Sequence, residues 1–380
     1  MQTERPNPDT RCPTAPLRLV IKLGSSVLTS GTRRLDNDCM RNLVQQIAQL
    51  QGLGHETVVV TSGAQAAGRE ILGFPELDRS LPSRQMLAAV GQGRLMQIYS
   101  ELFGDHDIIV GQVLLTRSDL NHRTRYLNAR DTLLTMIDRR IVPVVNENDT
   151  TAVDEIRVGD NDNISALVAN LLEADLLVLL TDQPGMYTAD PRRHEDASLI
   201  RQLERVDDSA LAMAGGAGSR EGTGGMATKL QAARLASNSG VSTVIARGQE
   251  PEVLRRILQG ENVGTRIPAS VDSLQSRKRW LLAETPRGVL HVDAGAVHVL
   301  RNGGASLLPV GVTRVEREFR RGEVLQVRGP DGSDIARGLS SYDSRDLRSL
   351  CGQRSSRISA ILGYSYGDAV IHRNNLVLSA

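Results

Sequence analysis

The sequence predicts an α/β protein: an α-β-α sandwich around a mostly parallel sheet, followed by a small β-rich domain. Three observations predict it. From Leu17 to about Gly264, short apolar runs of strand character alternate with stretches of helical period, the pattern of a parallel sheet covered on both faces. Several of these runs stop abruptly at Gly, Ser, Thr, Asn or Asp, residue types that turn the chain. Beyond Gly264 the texture changes to short runs punctuated by glycine. A length of 380 residues suits two or three domains, because single cores stop growing at roughly 250 to 300 residues. The expected division is a disordered leader at 1–16, the α/β domain at 17–266, a linker at 267–276 and the β-rich domain at 277–380.

Taken in order, Leu17 to Leu23 is a short buried strand with Lys22 at its end. Gly24, Ser25 and Ser26 follow at once, where backbone N–H groups can face an anion. A helical pattern through Leu43, Ile47 and Leu50 stops at the glycines of QGLGHE. Thr57 to Thr61 is the next strand, and Ser62, Gly63 and Ala64 lead from it into a helix of small residues. The order strand, Ser/Gly turn, helix thus occurs twice, and helix N-termini attract anions. Ser83 to Phe103 has helical period, DIIVGQVLLT is a strand, and RSDLNHRTRYLNARDTLLTMIDRR is a helix, polar at first and then amphipathic.

The strand VPVVNENDT, Val142 to Thr150, stops at Asn146, and Asn, Glu and Asp then crowd the chain through VGDNDN, Val158 to Asn163. In open α/β sheets ligands bind beyond the carboxyl ends of the strands, where these side chains would fall. Asn and Asp are also the commonest turn formers, so the cluster alone does not separate a ligand site from a solvated turn. ISALVANLLEA is a helix, and LLVLLTDQPGMYTADP is a strand ending at Thr181 and Asp182. A glycine loop, Gly215 to Gly225, then opens a helix at Met226 with Lys229 in its first turn. Such a loop can close over phosphates, although it is neither a Walker A motif nor a dinucleotide fingerprint. VSTVIARG is read as the last strand of this domain and PEVLRRILQGENVGT as its closing helix. The runs RGVLHVDAGAVHVL, GGASLLPVGVTRVE, FRRGEVLQVRG, DIARGLS and DAVIHRNNLVL are read as strands of the second.

Composition narrows the function. The 45 basic and 44 acidic residues nearly cancel, which gives no global pull toward nucleic acid or an anionic membrane. From Ser270 onward the chain carries 16 basic and 11 acidic residues, a mildly basic end. Cys12, Cys39 and Cys351 lie far apart without a CxxC pair, which indicates neither a disulfide framework nor a zinc site and fits a reducing cytoplasm. No apolar run approaches the roughly 20 residues of a membrane span, and the leader has no signal-peptide core. Of the 45 basic residues only Lys22, Lys229 and Lys278 are lysine. A lysine retained in an arginine-rich chain suits a site that needs a compact point charge, as around a phosphoryl group in transfer. Lys22 and Lys229 each sit in a glycine motif, whereas Lys278 lies in the basic run RKRW.

The motifs KLGSS, TSGAQAAG, NARDTL, PVVNENDT, VGDNDN, LLTDQPGMYTADP and GTGGMATK, in this order, resemble the glutamate-phosphorylating members of the amino-acid kinase family. The likeness runs from Leu17 to about Val377. It implies transfer of the ATP γ-phosphoryl to the side-chain carboxylate of L-glutamate, opening proline synthesis, with ATP arriving with Mg2+ and no metal-ligating residue assigned. By motif match, Ser62, Asp149 and Asn161 would hold glutamate, Asp149 pairing with its ammonium and the other two bonding its carboxylates. Lys22 and Lys229 would stabilise the moving phosphoryl, Asp162 would hold these lysines, and Asp160 would support the loop. Lys22, Thr181, Asp182, Thr223, Gly224, Gly225, Met226, Ala227, Thr228 and Lys229 would bind ATP.

The chemistry suits such residues. A carboxylate with pKa about 4.3 is ionised at neutral pH and attacks without a general base, so no Ser-His-Asp or Cys-His arrangement is needed. Arg157 stands where family members more often have lysine and keeps the charge, so altered affinity without lost activity is expected; Gln65 replaces an aliphatic residue and puts a hydrogen-bonding group near Ser62, which leaves effector sensitivity open. The resemblance also implies feedback inhibition by proline, with the glutamate pocket and the Ser118 to Arg125 region as participants, and a homo-oligomer, dimer or tetramer. The C-terminal end resembles a PUA domain, a module also found in RNA-modifying enzymes. With few aromatics for base stacking, a structural or regulatory role is favoured there over RNA binding. Two alternatives stay open: a related kinase of aspartate or acetylglutamate, and an RNA-binding protein with an inactive kinase domain.

Overall fold

A computed structural model of the chain describes residues 15–78, 80–152, 160–215, 225–270, 281–282 and 284–379. The expected leader lies almost wholly outside them, as does most of the expected linker. The chain divides into two compact units, Met1–Leu120 with Thr132–Ser273, and Asn121–Asp131 with Leu274–Ala380.

The first unit is built on seven strands: β1 (Arg18–Leu23), β2 (Glu56–Val60), β3 (Val110–Leu115), β4 (Val142–Glu147), β5 (Leu176–Thr181), β6 (Ser242–Arg247) and β7 (Thr265–Ile267). Their order in the sheet is β3-β4-β2-β1-β5-β6-β7. Every neighbouring pair is parallel except β6 and β7. β4 and β5 are buried at every residue, so both faces of the sheet are covered. The helices up to Leu258 are α1 (Ser25–Leu28), α2 (Asn37–Gly52), α3 (Ala64–Ile71), α4 (Leu81–Gly104), α5 (Arg117–Asn121), α6 (Arg123–Asp138), whose first part belongs to the second unit, α7 (Asp160–Leu172), α8 (Asp208–Gly215), α9 (Met226–Asn238) and α10 (Val253–Leu258). α2 packs with α4 and α10 and α3 packs with α4, while α7, α8 and α9 form a separate packed group.

Local chemistry sets the boundaries of these helices. Asp36 caps α2 by accepting from the Asp38 and Cys39 N–H groups, and Ser80 caps α4 ahead of Pro82 in the first turn. The order of strands places β2 on one side of β1 and β5 on the other. This reversal is a topological switch point, where the loops leaving adjacent strands diverge and open a crevice. The loop after β1, the start of α3 and the loop after β5 border that crevice.

One expectation for this unit needs correction. VSTVIARG is not its last strand, because β7 adds an antiparallel edge. It is only three residues long with Arg266 exposed at its centre, too short to show an alternating pattern. Gly264 makes the return possible: it has φ +74°, and a Cβ there would lie 2.2 Å from the Ile245 carbonyl oxygen.

The second unit contains β8 (Gly288–Val292), β9 (Val312–Glu316), β10 (Val324–Arg328), β11 (Asp334–Leu339) and β12 (Leu376–Leu378), in the order β12-β11-β10-β8-β9. β8 and β10 are parallel and the other pairs antiparallel. Its core gathers Leu290, Leu325, Val327, Tyr342 and Ile371. The run RGVLHVDAGAVHVL is not one strand. After β8 the chain turns into α11 (Ala294–Gly303), because the Asp293 carboxylate accepts from the Ala296 N–H and starts a helix. Asp343 does the same for α12 (Ser344–Leu350), and α13 (Ile358–Leu362) follows. Among its described residues the expected β-rich domain therefore carries α11, α12 and α13, which glycine punctuation hid.

Candidate active site

The carboxyl end of β1 carries Lys22 into the crevice floor. Lys22 is 6% exposed, and its Nζ lies 2.6 Å from Asp162 Oδ1. Asp162, in the first turn of α7, is fully buried. Its other oxygen lies 3.4 Å from Lys229 Nζ and accepts a 2.8 Å hydrogen bond from Thr228 Oγ1. Lys229 stands in the first turn of α9 and is 5% exposed. Gly24 leaves room for this packing: a Cβ there would come within 3.4 Å of the Lys22 ammonium and 3.3 Å of the Leu180 carbonyl oxygen.

Two lysines share one carboxylate, so the cluster carries a net positive charge. Burial pushes the Asp162 carboxyl up, but the Lys22 and Lys229 ammoniums outweigh it and hold the group below the ordinary carboxylate value. Burial also lowers the Lys229 ammonium below the ordinary lysine value, with the pull of Asp162 opposing and repulsion from Lys22 adding to the shift. A positive charge held at low dielectric by its own counter-ion acts strongly on any anion brought against it.

Above this floor opens a polar cavity of about 1200 Å³. That exceeds the roughly 300 to 1,000 Å³ usual for one small ligand and leaves room for a nucleotide beside an amino acid. At the end of β5, Asp182 Oδ1 accepts from Thr181 Oγ1 at 3.0 Å and from Ser26 Oγ at 3.3 Å, joining the loops that follow β5 and β1. Gly225, Met226 and Ala227, at the start of α9, line the same space.

The opposite side of the cavity is made by Ser62, Asp149 and Asn161. Ser62 Oγ donates to the Leu23 carbonyl oxygen at 2.8 Å, and Gly63 turns the chain into α3 with φ +97°. Asp149 is half-buried, and burial raises its carboxyl above the ordinary value while a hydrogen bond from Gln65 opposes the shift. Asn161 Nδ2 donates to Asn146 Oδ1 at 3.3 Å, and Asn146 Nδ2 donates to Gln92 Oε1 at 2.7 Å. Ser62 and Asn161 thus each direct one donor into the protein, and the Asn161 amide nitrogen keeps a second N–H.

Of the residues expected from sequence, Ser62, Asp149, Asn161, Thr181, Asp182, Gly225, Met226, Ala227 and Lys229 line one cavity. Lys22, Asp162 and Thr228 join them through the ion-pair cluster beneath it. Thr223, Gly224, Arg157 and the side chain of Asp160 lie outside the described residues. Among the described residues, no three His, Cys, Asp or Glu side chains gather as a metal site. Sequence reasoning placed Asn146 in the polar cluster after the strand but gave it no role of its own; it is 1% exposed and lines the cavity. A polar residue closing an otherwise apolar buried strand was the available signal. Gln92, on α4, had none.

A covered parallel sheet with a paired-lysine floor at its switch point defines a phosphoryl transferase. Residues 17–247 match the amino-acid kinase family, and residues 288–362 match the PUA domain. The glutamate 5-kinase of Deinococcus radiodurans is 52% identical over 362 residues, covering 95% of this chain and 100% of its own. That of Herpetosiphon aurantiacus is 54% identical over 362 residues, covering 95% and 98%. Among solved structures, the UMP kinase from Bacillus anthracis matches 68% of this chain and 98% of its own, with a TM-score of 0.47 at 19% identity. The chain belongs to the amino-acid kinase family and, within it, to the glutamate 5-kinases.

Proposed function

We propose that the protein transfers the γ-phosphoryl of ATP to the side-chain carboxylate of L-glutamate, forming L-glutamyl 5-phosphate, the first step of proline biosynthesis. The observation that carries the mechanism is the Lys22–Asp162–Lys229 cluster beneath a cavity wide enough for both substrates. Phosphoryl transfer needs positioning and charge neutralisation more than acid-base chemistry, because the phosphoryl oxygens repel an incoming carboxylate. Lys22 and Lys229 neutralise that charge, and Asp162 keeps both ammoniums at the cavity floor as a positioning residue. Thr181, Asp182 and the start of α9 hold the nucleotide. Asp149 and Asn161 hold glutamate from the other side, its side chain directed toward the lysines.

A magnesium ion, when bound, would enter on the triphosphate and share its charge; Asp182 is the acidic side chain of the nucleotide end that could meet it, directly or through water. We further propose that the enzyme works in the cytoplasm as a homo-oligomer inhibited by proline, and that the PUA unit serves structure or regulation. Hydroxylamine traps an acyl phosphate as a hydroxamate, so the test is ATP-dependent hydroxamate formation across glutamate, aspartate and N-acetylglutamate. Glutamate should be preferred by at least about a hundredfold in kcat/KM. Preference for another acceptor would overturn the substrate assignment.

A further inference from the structure

Gln92 does not line the cavity, yet it ends a chain of three amides that does. Its position depends on a close helix contact. A Cβ at Gly91 would lie 1.9 Å from the Ala64 carbonyl oxygen and 2.3 Å from the Gly68 nitrogen, and one at Gly68 would lie 1.9 Å from the Leu87 carbonyl oxygen. α3 and α4 therefore meet backbone to backbone, which brings the next residue, Gln92, to the end of β4. There Gln92 Oε1 accepts from Asn146 Nδ2, and Asn146 Oδ1 accepts from Asn161 Nδ2. In this chain Gln92 enters through Oε1 as the acceptor, and its Nε2 is buried without a hydrogen-bond partner.

An amide has a donor end and an acceptor end, and a chain of amides must run in one sense throughout. Because Gln92 accepts, Asn146 presents its oxygen to Asn161, and Asn161 turns its nitrogen inward. Asn161 lines the cavity, and its Oδ1 is left buried with no hydrogen-bond partner. A buried unpaired acceptor calls for a donor, from water or from a bound ligand. In glutamate that donor is the α-ammonium; both carboxylates lack one.

We propose that Gln92 is a positioning residue that sets acceptor specificity: through Asn146 it fixes the Asn161 carboxamide oxygen toward the cavity, where it receives the α-ammonium of the amino acid. The inference rests on the reading that Asn161 faces glutamate.

Gln92→Met keeps the length of the side chain and removes the acceptor, whereas Gln92→Glu keeps an acceptor. In the hydroxamate assay, Gln92→Met should raise the KM for glutamate about tenfold, the loss of one hydrogen bond to a charged group, with the KM for ATP unchanged. Glutarate, which lacks the ammonium, should compete with glutamate in the variant with an unchanged inhibition constant. Gln92→Glu should restore the glutamate KM to within about threefold of wild type. The proposal is overturned if the two variants behave alike, or if glutarate weakens in parallel with glutamate; a packing role would produce either result. Asn161→Ala separates the two levels. If it leaves the glutamate KM unchanged, the reading of Asn161 itself fails; if it raises the KM while Gln92→Met does not, only the role of Gln92 fails.

Discussion

The two sides of the cavity are built on opposite plans. At the phosphoryl end, Lys22, Asp162 and Lys229 are held to one another by ion pairs: the carboxylate is fully buried, both ammoniums reach it, and Thr228 adds a hydrogen bond. At the amino-acid end, burial raises the Asp149 carboxyl, and Asn161 Oδ1 is buried without a partner. The first arrangement is held by the protein. The second is completed by what binds there. Changes at the phosphoryl end should therefore strike catalysis and folding, and changes at the amino-acid end should strike substrate affinity.

The largest effect should come from Asp162→Ala, which leaves two buried ammoniums facing each other. Removing one partner of a buried ionic group costs about 3 to 5 kcal/mol, to be read by denaturant unfolding, and activity should vanish with it. The pH dependence carries the same signature. The folded-state Asp162 lies below its ordinary value, so its contribution is complete above about pH 4 and is lost as pH falls through the lowered value. Asp162→Asn should flatten acid unfolding in that window. An unchanged acid profile would remove Asp162 as the organiser of the lysines.

Lys229→Met should lower kcat by roughly a hundredfold or more and leave the glutamate KM near wild type, because its charge acts on the phosphoryl in transfer. A smaller effect tests the geometry between α3 and α4. Gly91→Ala forces a methyl group against backbone and should destabilise by about 1 to 3 kcal/mol, with the glutamate KM rising as Gln92 shifts. At the amino-acid end the shift has the opposite direction. Asp149 lies above its ordinary value, so on acidification its charge is lost earlier than that of an ordinary carboxylate. On acidification the glutamate KM should rise before the substrate's own carboxylate, with pKa about 4.3, titrates, and Asp149→Asn should remove that early part of the rise. The smallest change belongs to the surface pair Arg41 and Asp105, 58% and 61% exposed at 3.0 Å. Arg41→Ala should alter stability by less than about 0.5 kcal/mol and activity not at all.

The residues of the phosphoryl end were legible in the sequence because their chemistry is local: two lysines in a chain of 42 arginines, each in a glycine motif, stand out by residue type and neighbours alone. The parallel sheet was legible for a similar reason, since doubly buried strands are continuous apolar runs. What stayed hidden depends on contacts distant in sequence. Gln92 and Asn146 are 54 positions apart, and nothing near either forecasts their bond. The short edge strand β7 has too few residues for a period. The helix after Asp293 was overlooked because GAVHVL fits a strand as readily as a helix, and only the capping aspartate decides between them.

The most direct test compares Lys229→Met with Asp149→Asn in one steady-state hydroxamate assay, with glutamate and ATP varied in turn. The account predicts a fall in kcat at constant glutamate KM for the lysine variant, and a rise in glutamate KM with a smaller change in kcat for the aspartate variant. The same pattern in both variants, or the two effects exchanged, would contradict the division of the cavity into a phosphoryl end and an amino-acid end.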